Sequence, residues 1–115
     1  MRSRILIVED EPLVAQDIAT ILTSAGYVVA DMVGTVPLAI SFARSRRYEA
    51  AVLDANLRGE SAELLAEALQ QEGTPFLVLS GYSRAHLKGA LSNAPLLSKP
   101  FSRDALVRAV AAISQ

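Results

Sequence analysis

Three consecutive carboxylates, Glu9, Asp10 and Glu11, follow directly on the apolar run Ile5-Leu6-Ile7-Val8, and Pro12 comes next. Another acid, Asp54, ends a second apolar run, Ala50 to Leu53, and two further runs end in Ser80 and in Lys99-Pro100. Carboxylates placed this closely repel one another, and at least one has its pKa raised unless a cation sits among them. Glu9, Asp10 and Asp54 offer hard oxygen donors with no nitrogen or sulfur ligand beside them. That set suits Mg²⁺, an ion that keeps several waters and takes one or two carboxylates plus phosphate oxygens. Lys99 adds a point positive charge and Ser80 a hydroxyl donor. A divalent ion, an ammonium and a hydroxyl around one carboxylate are what a transferring phosphoryl group requires. Its charge spreads over three equatorial oxygens, and its transfer depends on positioning and electrostatics. The central carboxylate, Asp54, can then be the nucleophile.

These groups need elements that carry them to one place. Four branched apolar residues before Glu9 read as a strand buried on both faces, and Pro12 suits the first turn of the helix that follows. In that helix Val14, Ile18, Ile21, Leu22 and Ala25 form one apolar stripe, and Gly26 stands where a left-handed cap belongs. Tyr27 to Val33 reads as an outer strand, with Thr35 a cap candidate for a second helix on Val36, Ala39, Ile40 and Ala43. Arg44, Arg46 and Arg47 read as cations complementing the end of that helix, in preference to a nucleic-acid patch. After the strand Ala50 to Leu53, residues 55–59 read as a loop. A third helix, with Leu64, Leu65, Ala68 and Leu69 on its face, runs from about Ser61 to Glu72 before Gly73. Pro75 to Leu79 is a fourth strand ending at Ser80-Gly81-Tyr82, residues 83–91 form a short helix, and Asn93 to Ser98 is a weaker fifth strand. Leu106, Val107, Val110 and Ile113 face a fifth helix. Five strands alternating with five helices predict right-handed crossovers and a doubly wound α/β fold with a parallel sheet. Ligands in such sheets bind beyond the carboxyl ends of the strands. Glu9 and Asp10, Asp54, Ser80 and Lys99 all fall at that edge. Any one of them alone reads as a turn, a cap or a structural ion pair; four strands delivering complementary groups to one edge is a specific signal.

The chain has 115 residues, one domain's worth, with 51% apolar content, enough for a single core and leaving no room for an output domain. A net charge of −1 with both signs interspersed gives no electrostatic footprint for nucleic acid or an anionic membrane. The absence of cysteine excludes disulfides and thiolate metal sites. The basic start is followed by too short an apolar run for a signal peptide, and nothing approaches the ~20 apolar residues of a membrane span. The expectation is a soluble cytoplasmic protein. His86, the single histidine, reads as a solvated helix residue, with no second His or Cys to complete a transition-metal site.

On Glu9-Asp10 after the first strand, Asp54 after the third, Ser80 after the fourth and Lys99-Pro100 after the fifth, the whole chain, 1–115, resembles a response-regulator receiver domain of two-component signalling. The resemblance implies a five-stranded flavodoxin-like sheet in the order 2-1-3-4-5. It implies Asp54 as phospho-acceptor, Asp10 and Asp54 as side-chain Mg²⁺ ligands, Asn56 as a backbone-carbonyl ligand and Glu9 as an acid beside them. Lys99 would pair with Asp54 and then with its phosphoryl oxygen, aimed in part by a cis bond before Pro100. The phosphoryl donor would be a histidine kinase or a histidine phosphotransfer protein, and the output an altered affinity for a protein partner. The chain would be no enzyme beyond its own phosphorylation and dephosphorylation. Two features depart from most receivers. Leu96 stands three positions before the lysine, where an aromatic switch residue is usual. Phe76-Leu77-Val78-Leu79-Ser80-Gly81-Tyr82 is similar to the Phe-Ala-Thr-Gly-Tyr type motif of an atypical alphaproteobacterial subfamily, which lacks that aromatic and often stands alone. The switch is therefore expected in Ser80, Gly81 and Tyr82, rearranging residues 81–91, with Leu96 passive. Two other readings are a haloacid-dehalogenase-type phosphatase, which would show Asp-x-Asp where position 56 is Asn, and a receiver-like interaction module that is never phosphorylated.

Overall fold

In the computed structural model, which describes residues 3–81 and 84–114 except the side chain of Arg84, strand β1 (Arg4–Val8) lies inside a parallel sheet. Its Ile5, Leu6, Ile7 and Val8 are all buried because the sheet is covered on both sides. Leu6 and Val8 point into one core, beneath helices α2 (Val36–Ser45) and α3 (Glu63–Gln71); Ile5 and Ile7 point into the other, beneath α1 (Pro12–Ser24) and α4 (Arg103–Ile113). The other strands of the sheet are β2 (Val28–Val33), β3 (Ala50–Asp54), β6 (Phe76–Ser80) and β7 (Leu96–Ser98), all parallel, in the order β2-β1-β3-β6-β7. Counted without the small ribbon described next, this is the order 2-1-3-4-5. Strand order reverses between β1 and β3, which places a crevice at their carboxyl ends.

Three expectations need correction. Residues 55–59 are not a plain loop: β4 (Asn56–Leu57) pairs with β5 (Glu60–Ser61) in a two-stranded antiparallel ribbon. Among the described residues there are four α-helices, not five, because 84–91 holds only two 3-10 turns, Arg84–His86 and Gly89–Leu91. Lys88 is extended and Gly89 has φ +59°, so a helix cannot pass through, and a Cβ at Gly89 would collide with the Glu63 carboxyl group. Leu64 is 62% exposed: α3 buries Leu65, Ala68 and Leu69 as expected but takes Ala66 into the stripe in place of Leu64. The ends of the elements follow the local chemistry: Pro12 opens α1, the Thr35 side chain accepts from the Leu38 N–H, and Gly26 and Gly73 take positive φ after their helices. Among the described residues no helix is long and apolar enough to cross a membrane.

The arginine cluster is built differently from a simple complement to a helix end. α2 stops at Ser45, so only Arg44 lies in its last turn, where it bonds Gln71 at 3.1 Å. Arg46 is extended, stacks 3.9 Å from the centre of the Phe42 ring and pairs with Asp31 at 2.9 Å. Asp31 also accepts from the hydroxyl of buried Tyr48 at 2.6 Å. It can do so because the register of β1 on β2 skips a residue between Ile5↔Val29 and Leu6↔Asp31, a bulge that moves Asp31 to the Tyr48 side. Burial first, and then the Asp31 bond and charge, push the Tyr48 hydroxyl pKa upward. Tyr48→Phe removes one of Asp31's two donors inside this half-buried network. It should cost about 1–2 kcal/mol in a urea unfolding titration with an unchanged slope; a cost near zero would show that the bond adds no net stability.

Candidate functional site

The parallel register brings the strand ends together. Glu9 continues β1 with its N–H on the carbonyl of Val33 (3.0 Å), Asp54 is the last residue of β3 opposite Leu79, and Ser80 ends β6 opposite Ser98. The Lys99 N–H then bonds the Ser80 carbonyl at 2.9 Å, which anchors the lysine just past the end of β7. The Lys99-Pro100 bond is cis. From there Lys99 Nζ reaches Asp54 Oδ2 at 2.6 Å and Glu9 Oε1 at 3.4 Å. The other Asp54 oxygen, Oδ1, accepts from the Asn56 N–H at 3.0 Å, and Asp10 Oδ2 accepts from the Arg58 N–H at 3.0 Å. One oxygen each from Glu9, Asp10 and Asp54 lies within 4.8 Å of the others. Three hard oxygen donors with no nitrogen or sulfur among them fit a hard divalent cation such as Mg²⁺.

Glu11 does not join this cluster. It is the exposed N-cap residue of α1, and its contribution is an N–H donated to Glu9 Oε2 at 3.1 Å. Repulsion among the acids is also not the chief perturbation. Glu9 is 5% exposed, and burial does most to raise its pKa to about 7; the Asp54 charge and a hydrogen bond with Asp10 add to this, against the Glu11 N–H and Lys99. Burial alone would lower the pKa of Lys99, but its bonds and charge interactions with Asp54 and Glu9 outweigh that and raise it, so the ammonium stays charged.

The remaining expected residues fall as follows. Ser80 is buried at the end of β6, and Gly81 is exposed with no positive φ, so the backbone freedom of glycine is not used there in this state. Tyr82 lies outside the described residues. Leu96 is half-buried and packs against the core under α2 and α3. His86 is exposed and lines an open cleft of about 300 Å³ with Asn56, Ser61, Glu63 and Leu91. Sequence reasoning missed Arg58, whose main chain meets Asp10. The available signal was a two-residue turn closing on glycine, Leu57-Arg58-Gly59-Glu60, where hairpins commonly fold.

Comparison with known proteins agrees with this geometry. The family model for the response regulator receiver domain matches residues 5–111. The solution structure of SdrG from Sphingomonas melonis Fr1 superposes with a TM-score of 0.83 at 36% identity, over 97% of this chain and 96% of that one. The BeF3-activated conformation of SdrG gives a TM-score of 0.82 at 35% identity, over the same 97% and 96%. Among curated proteins, the transcriptional regulatory protein PdtaR of Mycobacterium tuberculosis is 29% identical over 114 residues. That alignment takes in 93% of this chain and 54% of PdtaR, so the chain spans about half the length of that relative.

The protonation of Glu9 has a direct consequence for stability. Its folded pKa of about 7 lies above the ordinary value of 4.5, so between those pH values the folded chain holds a proton that the unfolded chain has released. Metal-free stability should therefore fall as pH rises through that window, by on the order of a few kcal/mol. The raised Lys99 pKa acts in the same sense but only above 10.5, outside the window. Melting temperatures in EDTA between about pH 5 and pH 8 should decline for the wild type and flatten in Glu9→Gln. An equal slope in both would assign the decline to other groups.

Proposed function

The chain belongs to the response regulator receiver family, and on that premise we propose that Asp54 is its phospho-acceptor. A histidine kinase or histidine phosphotransfer protein donates, Mg²⁺ is required, and the phosphorylated form signals through altered binding of a protein partner. The observation that carries this reading is the 2.6 Å contact of Lys99 Nζ with Asp54 Oδ2, beside three acidic oxygens within 4.8 Å of one another. In the transfer, a new bond forms between an Asp54 carboxylate oxygen and phosphorus as the bond from phosphorus to the donor imidazole nitrogen breaks, and its electron pair returns to that ring. Lys99, already charged and adjacent, exchanges its carboxylate oxygen for a phosphoryl oxygen. The Asn56 N–H holds Oδ1 and so fixes which way the Asp54 carboxylate faces. Asp10, Asp54 and the Asn56 backbone carbonyl would hold the metal, with Glu9 beside them. Bound there, Mg²⁺ supplies charge neutralisation for the carboxylates and the phosphoryl oxygens.

The change in Asp54 is read out through Ser80. Its hydroxyl is drawn to the phosphoryl group and pulls on the chain that follows, Gly81 and Tyr82, so that residues 81–91 rearrange while Leu96, with no ring to turn, stays in its core. The two short turns at 84–91 support this, because a segment held by single-turn helices costs less to rearrange than a full α-helix. The phosphatase alternative is disfavoured by Asn56, and the unphosphorylated module by the intact pairing of Asp54 with Lys99.

The test is to incubate the protein with Mg²⁺ and a small phosphodonor, then locate the modification by mass spectrometry. Label should appear on Asp54 alone, vanish in Asp54→Asn, and be lost in Asp10→Ala together with Mg²⁺ affinity. Label that persists in Asp54→Asn, or that moves to Asp10 at wild-type efficiency, refutes the assignment.

A further inference from the structure

The ribbon after Asp54 closes on a two-residue turn in which both central residues, Arg58 and Gly59, have positive φ, +54° and +82°. Glycine adopts this freely, whereas the Cβ of arginine opposes it. The register pairs Leu57 with Glu60 and Asn56 with Ser61. In a two-residue hairpin the residues flanking the turn face each other through their backbone groups, which directs the N–H groups of Asn56 and Arg58 to the opposite edge. Both meet carboxylates: Asn56 N donates to Asp54 Oδ1 at 3.0 Å and Arg58 N to Asp10 Oδ2 at 3.0 Å. That edge is itself anchored. Leu57 is buried in the core, Asn56 Oδ1 accepts the Gly59 N–H at 2.9 Å, and Ala62 N donates to the Ala55 carbonyl at 3.0 Å. One rigid ribbon edge therefore holds one oxygen of each of two carboxylates that arrive from different strands.

We propose that this ribbon is a main-chain clamp on the acidic site and that Arg58 is a positioning residue for Asp10. Its N–H engages Oδ2, leaves Oδ1 to face a cation, and is kept in place by the left-handed turn. The role belongs to the backbone, since the Arg58 side chain is exposed. Asp10 sits past the end of β1, where a hydrogen bond with Glu9 also reaches it; the clamp fixes Oδ2 from the other element before a cation arrives. This deepens the reading of the site as one that takes Mg²⁺ and rests on it. Hydrogen-bond partners behind metal-ligating groups are commonly worth roughly tenfold to a hundredfold in affinity.

The test uses two substitutions at one position, with Mg²⁺ itself as the probe. Arg58→Val is β-branched, resists φ +54° and should swing the N–H away; Arg58→Gly keeps the N–H and accepts the angle. Calorimetric titration should show Mg²⁺ binding weakened about tenfold in Arg58→Val and restored in Arg58→Gly. A second readout needs no metal: in EDTA the amide of residue 58 should be protected from hydrogen exchange in the wild type and lose protection in Asp10→Ala, while the Asn56 amide keeps its own. Equal Mg²⁺ affinity in the wild type and Arg58→Val overturns the clamp, as does an Arg58 amide indifferent to Asp10→Ala. A wild-type protein that binds no Mg²⁺ overturns the reading of the site instead and takes the clamp's role with it, an outcome the titration of the wild type separates from the others.

Discussion

The arrangement at the carboxyl edge of the sheet depends on a single ammonium shared between Asp54 and Glu9. In the sheet order, β6 stands between β3 and β7, so Lys99 must cover roughly 10 Å, two strand spacings, to reach Asp54. Only a long side chain can do this, and only over a short residue at the end of the intervening strand, which is Ser80. The lysine is held from behind by the Ser80 carbonyl. Charges this far out of water are costly unless paired, and here three groups depend on one another. Without the ammonium, Asp54 and buried Glu9 would face each other with like charge once Glu9 ionises; without Asp54, Lys99 keeps only the longer contact at 3.4 Å. On the proposed reading of Asp54 as phospho-acceptor, the pairing would also hold it ready, because the cation that stabilises the resting carboxylate is the one a phosphoryl oxygen would take over.

Much of this was legible in the residues themselves. Runs such as Ile5 to Val8 and Ala50 to Leu53 are buried on both faces, so their apolar character is continuous and their ends are sharp. A polar residue at such an end has few places to go, which is why Glu9, Asp10, Asp54 and Lys99 could be brought together on paper. Gly26 was readable for a related reason: it ends an apolar helical stripe and takes the left-handed angle expected there, and Gly73, read as the residue just past the third helix, takes a positive φ as well.

The features that escaped prediction depend on geometry that periodicity does not carry. A ribbon of two residues per strand has too few positions to show alternation, so β4 and β5 looked like loop. In α3 the spacing allowed a stripe on either side of Leu65, and only packing against α2 decided that Ala66 goes inward and Leu64 outward. Glu11 matched its neighbours in type but lies at the start of α1, where the chain has already turned away from the cluster. Arg58 could not be found from side-chain chemistry at all, because its part is played by a backbone N–H.

The bulge that delivers Asp31 to Tyr48 bears also on how the molecule behaves in a crowd of its own kind. β2 is an outermost strand, and a regular outermost strand presents an unbroken row of backbone donors and acceptors to any passing chain. The skipped residue, Ala30, interrupts that row and increases the local twist. At the far side, β7 offers only three residues before Pro100, which has no N–H to extend a ladder. Both margins of the sheet are thus poor templates for a further strand, which favours colloidal solubility for a protein whose core strands are otherwise rich in the residues that aggregate.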